Sequence, residues 1–264
     1  MNVVIIGGGV MGEAILRAAL SRGVFAPADV TVTEVVEARR GQLEATHGVR
    51  TTPDAESAIA DASLVVLAVK PQDIASVRGR PRADALVLSI MAGVRIATIA
   101  TQFGHDRIVR VMPNTPVAAM AGMSVWTATD AVTGDQRELT RSLLQSFGRE
   151  LYVDSESKID MATAVSGSGP GYVFLAIEAL IEGAVAIGLP RAQAEELVLQ
   201  TVYGSALYAR ESGRSPAELR AMVTSPAGTT AAGLLELERA GLRAAFIDCI
   251  QAAYDRAQEL GEAK

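Results

Sequence analysis

Residues 3–12 read V-V-I-I-G-G-G-V-M-G, and the fold follows from this stretch. Val3, Val4, Ile5 and Ile6 are four β-branched apolar residues, the composition of a short strand buried on both faces. Gly7, Gly9 and Gly12 follow in G-x-G-x-x-G spacing, and Glu13–Ser21 (E-A-I-L-R-A-A-L-S) has helical periodicity. Strand, glycine turn and helix together form the context that this fingerprint needs to signify a dinucleotide site. Gly7 permits the sharp turn, Gly9 lets the backbone approach a pyrophosphate, and Gly12 lets helix and strand pack closely. Gly7, Gly9, Val10, Met11 and Gly12 are therefore candidate cofactor-binding residues, because the N–H groups at a helix start face an anion and the helix dipole favours it. Glu34 lies 22 positions beyond Gly12, at the end of a second strand-like run, Val30–Thr33. A carboxylate there accepts hydrogen bonds from the adenosine ribose.

Outward from this unit, strands alternate with helical segments. Val36–Thr46 reads as a helix, Ser63–Val69 as a continuous apolar strand ending in Lys70-Pro71, and Ala85–Ile90 and Arg107–Met112 as further strands around an Ile96–Phe103 helix. Met123–Thr127 and Glu150–Val153 close the series around an Asp135–Phe147 helix. Nearly all-apolar strands between helices indicate a doubly wound, Rossmann-type parallel sheet. Beyond residue 155 strand signals stop, and helical stretches follow at about 155–165, 171–188, 190–211, 215–222, 230–239 and 241–260. Gly188 then Pro190, and Ser215 then Pro216, are stop and start signals. The expected organisation is an α/β dinucleotide domain over 1–154 and an all-α domain over 155–264. Residues 176–187 carry only two charges, so that helix should be buried on most sides. A homodimer interface is the expected cover.

Composition narrows the classes. The chain of 264 residues has net charge −6, which argues against nucleic acid as a partner. No apolar run is expected to reach the length of a membrane span, and the start lacks the pattern of a secretion signal. A single cysteine, Cys249, fits a reducing cytoplasm. His47 and His105 stand apart without metal-ligand spacing, so no metal is expected. Lysines are few: Lys70, Lys158 and Lys264.

Four loops carry candidate chemistry. Ala68-Val69-Lys70-Pro71 ends a strand at the sheet edge where cofactors lie, with Lys70 placed either for phosphate or ribose or simply in solvent. Met112-Pro113-Asn114-Thr115-Pro116 is a rigid loop in which Asn114 either faces a nicotinamide or only makes a turn. Thr163–Pro170 (T-A-V-S-G-S-G-P) and Thr224–Thr230 (T-S-P-A-G-T-T) put hydroxyls and glycines at helix starts. Such starts expose N–H donors to an anion, or merely cap a helix. If the two converge, they hold a small carboxylate without an arginine. No arrangement suited to nucleophilic hydrolysis is present.

The runs I-G-G-G-V-M-G-E-A-I (6–15), A-V-K-P (68–71), M-P-N-T-P (112–116), A-V-S-G-S-G-P (164–170) and V-T-S-P-A-G-T-T (223–230) occur in one order. In this the chain resembles the pyrroline-5-carboxylate reductases over essentially its whole length. The resemblance implies a Rossmann domain followed by a helical domain that dimerises through interlocking helices, often within larger rings of dimers. It implies hydride transfer from NADPH or NADH to a cyclic imine bearing a carboxylate, giving proline. It places Thr163 at the ring nitrogen as a proton donor, and Gly228, Thr229 and Thr230 at the carboxylate beside Ser166, Gly167, Ser168 and Gly169. Two departures accompany it. Val10 stands where a polar residue is common, and Ala227 where glycine is usual, which matters if that position needs φ > 0. Glu34 favours NADH, whereas Arg39 and Arg40 are candidates for a 2′-phosphate. Two other readings are a β-hydroxyacid dehydrogenase, which needs a lysine within a helix of the second domain, whereas the long helices here contain none, Lys158 preceding them and Lys264 being terminal, and a dinucleotide-binding regulator without turnover.

Overall fold

The computed structural model describes residues 1–262; Lys264 lies outside the described residues. An eight-stranded sheet is built from β1 (Val3–Ile6), β2 (Val30–Thr33), β3 (Arg50–Thr52), β4 (Leu64–Leu67), β5 (Leu86–Ser89), β6 (Ile108–Met112), β7 (Gly122–Ala128) and β8 (Gly148–Tyr152). Its order is β3-β2-β1-β4-β5-β6-β7-β8. Helices α1 (Val10–Ser21), α2 (Glu37–His47), α3 (Ala55–Asp61), α4 (Ile96–Phe103) and α5 (Gly134–Gln145) connect the strands.

The apolar strand runs are explained by burial on two faces. Val3 and Ile5 join α1 and Leu64, Val66, Leu86 and Leu88 in one core. Val4 and Ile6 join Ile59, Val65, Leu67, Ile99 and Phe103 in the other. Val3 pairs with Val30 on one side and Leu64 on the other, which centres the glycine turn in the sheet.

The sheet is mostly parallel, as expected for a doubly wound fold, with one antiparallel step between β6 and β7. The Pro113–Ala121 link between them is too short for a crossover, which takes a dozen or more residues. Helix α5 then supplies one, and β8 is again parallel to β7. Two elements had no sequence expectation. β3 (R-T-T) is an edge strand without a buried residue, and α3 buries only Ile59. Its cap was readable, since the Asp54 carboxylate accepts from the Ser57 N–H at 3.1 Å.

By packing, the chain divides into two compact units, Met1–Ser168 together with the stretch from Ala253 onward, and Gly169–Ala252. Helix α6 (Glu156–Ala162) belongs to the first, held on β6 by ion pairs described below. Thr163–Gly167 continues it as one π-helical turn. The second unit contains α7 (Gly169–Ala186), α8 (Arg191–Glu211), α9 (Pro216–Met222), α10 (Thr229–Arg239) and the start of α11 (Leu242–Glu262). The Ser215–Pro216 signal is a full capping box: Ser215 Oγ accepts from the Glu218 N–H, and Glu218 Oε2 accepts from the Ser215 N–H at 2.8 Å.

The expected burial of the apolar helix does not occur within one chain. No residue of α7 is buried, and Phe174, Leu175 and Leu180 are exposed. One further expectation is corrected. The continuous helical run Glu156–Ala186, 31 residues, is long and apolar enough by length and composition to cross a membrane. The sequence suggests separate helices at 155–165 and 171–188, but the π turn Thr163–Gly167 keeps the run continuous.

Candidate functional site

The C-terminal ends of β1, β2 and β4 border a cleft of about 500 Å³, lined among others by Gly7, Gly9, Glu34, Ala68, Val69 and Lys70. The glycine turn shapes its floor. Gly7 has φ +104°, and an added Cβ would lie 2.9 Å from the Ala68 carbonyl oxygen. Any side chain there is excluded twice, by conformation and by space. A Cβ on buried Gly12 would run into the Gly7 carbonyl oxygen, so α1 and β1 approach as closely as they do only through glycine. Gly9 precedes α1 with open space before it, and no side chain caps the helix. The first turn, with Val10 exposed and Met11 half-buried, thus presents its backbone donors to an incoming anion. A dinucleotide pyrophosphate fits this cradle.

Glu34 is tied into the turn. Its Oε2 accepts from the Gly8 N–H at 3.2 Å and its Oε1 from the Val36 N–H at 3.0 Å. Arg39 donates from Nε to the Gly8 carbonyl at 2.8 Å and pairs with Glu13 at 2.6 Å. His47 Nε2 meets the other Glu13 oxygen at 3.0 Å. The His47 hydrogen bond, then that of Arg39, holds the Glu13 carboxyl below the ordinary glutamate range. Arg40 donates to the Glu34 and Val35 carbonyls at 2.8 and 3.0 Å.

Lys70 is exposed at the cleft, and Pro71 behind it starts a 3₁₀ turn, Pro71–Ser76. Asn114, half-buried after β6, accepts the Met123 N–H on Oδ1 at 2.8 Å. Gly167 lies against Met112, the first residue of the same loop: an added Cβ would sit 2.7 Å from the Met112 methyl and 3.6 Å from the Thr163 Cγ2. Within the first unit, then, the structure brings the loop after β6 to the π turn of Thr163–Gly167. Thr163 Oγ1 donates to the Ile159 carbonyl at 2.8 Å, Ser166 Oγ to the Ala162 carbonyl at 3.0 Å, and the Ser168 N–H to the Thr163 carbonyl at 2.8 Å. Single π turns inserted in α-helices concentrate at functional sites.

In the second unit Gly169 opens α7, while Gly228 precedes α10 and Thr229 and Thr230 form its first turn. Ala227 takes φ +58°, so the position where glycine is usual does require the left-handed region.

The sequence reading missed Arg110. It is buried on β6, donating to Glu156 Oε1 at 2.8 Å and to Asp160 Oδ1 at 2.9 Å, while Arg95 pairs with the other Asp160 oxygen at 3.2 Å. Glu156 Oε1 also accepts the Ile96 N–H at 2.9 Å. An arginine inside the apolar run I-V-R-V-M was the available signal, since such a charge is buried only when paired. This network clamps α6, and with it the turn bearing Thr163, to the end of the sheet. Among the described residues no group of three or more His, Cys, Asp or Glu is placed to hold a metal ion.

Comparison with known proteins gives consistent matches. Residues 156–260 match the family model described as pyrroline-5-carboxylate reductase dimerisation, and residues 2–93 that of NADP oxidoreductase, coenzyme F420-dependent. The chain is 44% identical to the pyrroline-5-carboxylate reductase of Synechocystis, covering 98% of this chain and 97% of that one. It is 36% identical to the Escherichia coli reductase, covering 97% of each. Among solved structures it resembles the Coxiella burnetii reductase (38% identity, TM-score 0.88, 98% of each chain). It also resembles the Plasmodium falciparum enzyme, solved with NADP bound (27% identity, TM-score 0.90, 99% of this chain and 98% of that one).

Proposed function

The chain belongs to the pyrroline-5-carboxylate reductase family, and from that premise we propose how its own residues carry the reaction. It is an NAD(P)H-dependent oxidoreductase that reduces the C=N bond of 1-pyrroline-5-carboxylate to give proline. When bound, NAD(P)H would supply the hydride for the imine carbon. Gly7, Gly9, Val10, Met11 and Gly12 hold the pyrophosphate through backbone N–H groups. Glu34 meets the adenosine ribose, Ala68, Val69, Lys70 and Pro71 border the cofactor, and Asn114 offers its amide nitrogen to the nicotinamide. The observation that carries this reading is the glycine cradle opening into a cleft that also contains Glu34 and Lys70.

A protonated imine is already an electrophile, so the protein's part is orientation more than acid strength. At rest the Thr163 hydrogen is committed to the Ile159 carbonyl. Its oxygen lone pairs then accept the N–H of the protonated ring, and donating a proton requires the hydroxyl to rotate off Ile159. Gly228, Thr229 and Thr230 are assigned to the substrate carboxylate, and Ser166, Gly167, Ser168 and Gly169 are likewise assigned to the substrate. We assign cofactor binding to 1–154 and substrate binding and dimerisation to 155–264, in a cytoplasmic homodimer that assembles further into a ring.

The test is oxidation of the reduced nicotinamide with pyrroline-5-carboxylate, followed by absorbance. Turnover is expected, and Thr163→Ala should lower kcat roughly tenfold to a hundredfold, the worth of one hydrogen bond to a charged group. A folded, dinucleotide-binding protein with no turnover overturns the reading.

A further inference from the structure

NADH and NADPH differ by one group, the phosphate on the adenosine 2′ oxygen, and the residues after β2 decide which is welcome. Glu34 is half-buried there, with each oxygen fixed by a backbone N–H, Gly8 on one and Val36 on the other. A carboxylate so held keeps further lone pairs for a ribose diol and cannot swing away from an arriving phosphate. The two arginines near it already have partners. Arg39 spends Nε on the Gly8 carbonyl, one terminal nitrogen on Glu13, and the other on Gln42 at 3.3 Å. Arg40 donates from one terminal nitrogen to the main-chain carbonyls of Glu34 and Val35, ahead of α2. Neither arginine lines the cleft; Lys70, on the loop after β4, does. The two residues directly after Glu34 are the exposed valines Val35 and Val36.

We propose that this chain selects NADH over NADPH, and that Glu34, locked between the Gly8 and Val36 amides, is the residue that sets the choice. The proposal rests on the reductase reading for the presence of a dinucleotide, and its test is binding rather than turnover. Dissociation constants of the full-length protein for NADH and NADPH are measured by calorimetry and by the fluorescence of the reduced nicotinamide. NADH should bind at least about tenfold more tightly. Equal or tighter binding of NADPH overturns the proposal.

Glu34→Gln keeps the shape and one acceptor oxygen while removing the charge, so the NADH-to-NADPH ratio should fall to within about threefold. An unchanged ratio means that Glu34 is not the determinant. Because this variant can loosen the Gly8 turn and weaken both ligands, Val35→Arg is the second probe. It leaves the Glu34 contacts in place and should strengthen NADPH relative to NADH. If instead Lys70→Ala selectively abolishes NADPH binding, a phosphate site exists on the opposite wall and the proposal fails. Absence of binding to either dinucleotide removes this inference and the reductase reading together. Preferential NADH binding without reduction of the imine removes only the latter.

Discussion

Ala227 and Ser124 are single residues at odds with their surroundings, for opposite reasons. Ala227 holds φ +58°, a region that costs an L-residue roughly 1–2 kcal/mol. Glycine removes that strain but adds unfolded-state entropy of about 0.4–1 kcal/mol. Ala227→Gly should therefore raise stability by up to about 1.6 kcal/mol in urea unfolding. A loss of stability would show that the backbone there is not strained. The sequence raised the question at Ala227, because glycine is the residue expected in a run that otherwise matches; only coordinates supply the sign of φ. Ser124 gave no such signal. On β7 it looks like any small strand residue, yet its hydroxyl is fully buried without a hydrogen-bond partner among the described residues. An orphaned hydroxyl carries a desolvation cost that alanine lacks, so Ser124→Ala should be neutral or stabilising by about 1 kcal/mol. A clear loss of stability would indicate a partner for this hydroxyl.

At the scale of elements, two polar clusters join segments distant in the chain. Asp160 on α6 pairs with Arg110 on β6 and with Arg95, and Asp160→Ala leaves Arg110 buried with only Glu156. Breaking one partner of a buried pair costs about 3–5 kcal/mol, and the remaining Glu156 contact places this variant near the lower figure. Urea unfolding checks it, and a cost below about 1 kcal/mol would mean that the network does not clamp α6. The second cluster, Glu13 with His47 and Arg39, fastens α1 to α2. Its hydrogen bonds lower the Glu13 pKa on folding, so the stability it contributes is fully present above the ordinary value of 4.5 and is lost as pH falls through the lower, folded value. Glu13→Gln should flatten that acid limb in unfolding measured as a function of pH; an unaltered limb sinks the assignment. Legibility at this scale followed apolarity. The runs at β1, β4 and β5 announced themselves because both faces are buried. β3 and α3 did not, having Ile59 as their only buried residue. The antiparallel step from β6 to β7 was in principle readable from the short link between them, but strand character alone gives no direction.

For the molecule as a whole, the helical second half was legible as helices, while its exposure was not, because an apolar pattern does not say which surface covers it. Val173, Phe174 and Leu175 are consecutive and all exposed, so apolar surface extends around more than one side of α7. Apolar patches of this extent mark an interface, and the matching stretch of the family model is a dimerisation domain. A second copy of the chain is the occupant expected here, with an interface of at least about 1,200 Å². Light scattering on the eluting protein should give the mass of a dimer or a multiple of it. Because association stabilises the folded state by mass action, Tm should rise with protein concentration. Phe174→Glu places a charge on this surface and should shift the protein toward monomer or aggregate with a lower Tm, whereas a substitution on the sheet side such as Arg82→Ala should leave the mass unchanged. A monodisperse monomer whose Tm ignores concentration would overturn the dimer. Flotation with lipid vesicles would show that the run Glu156–Ala186 meets a bilayer instead of a second copy.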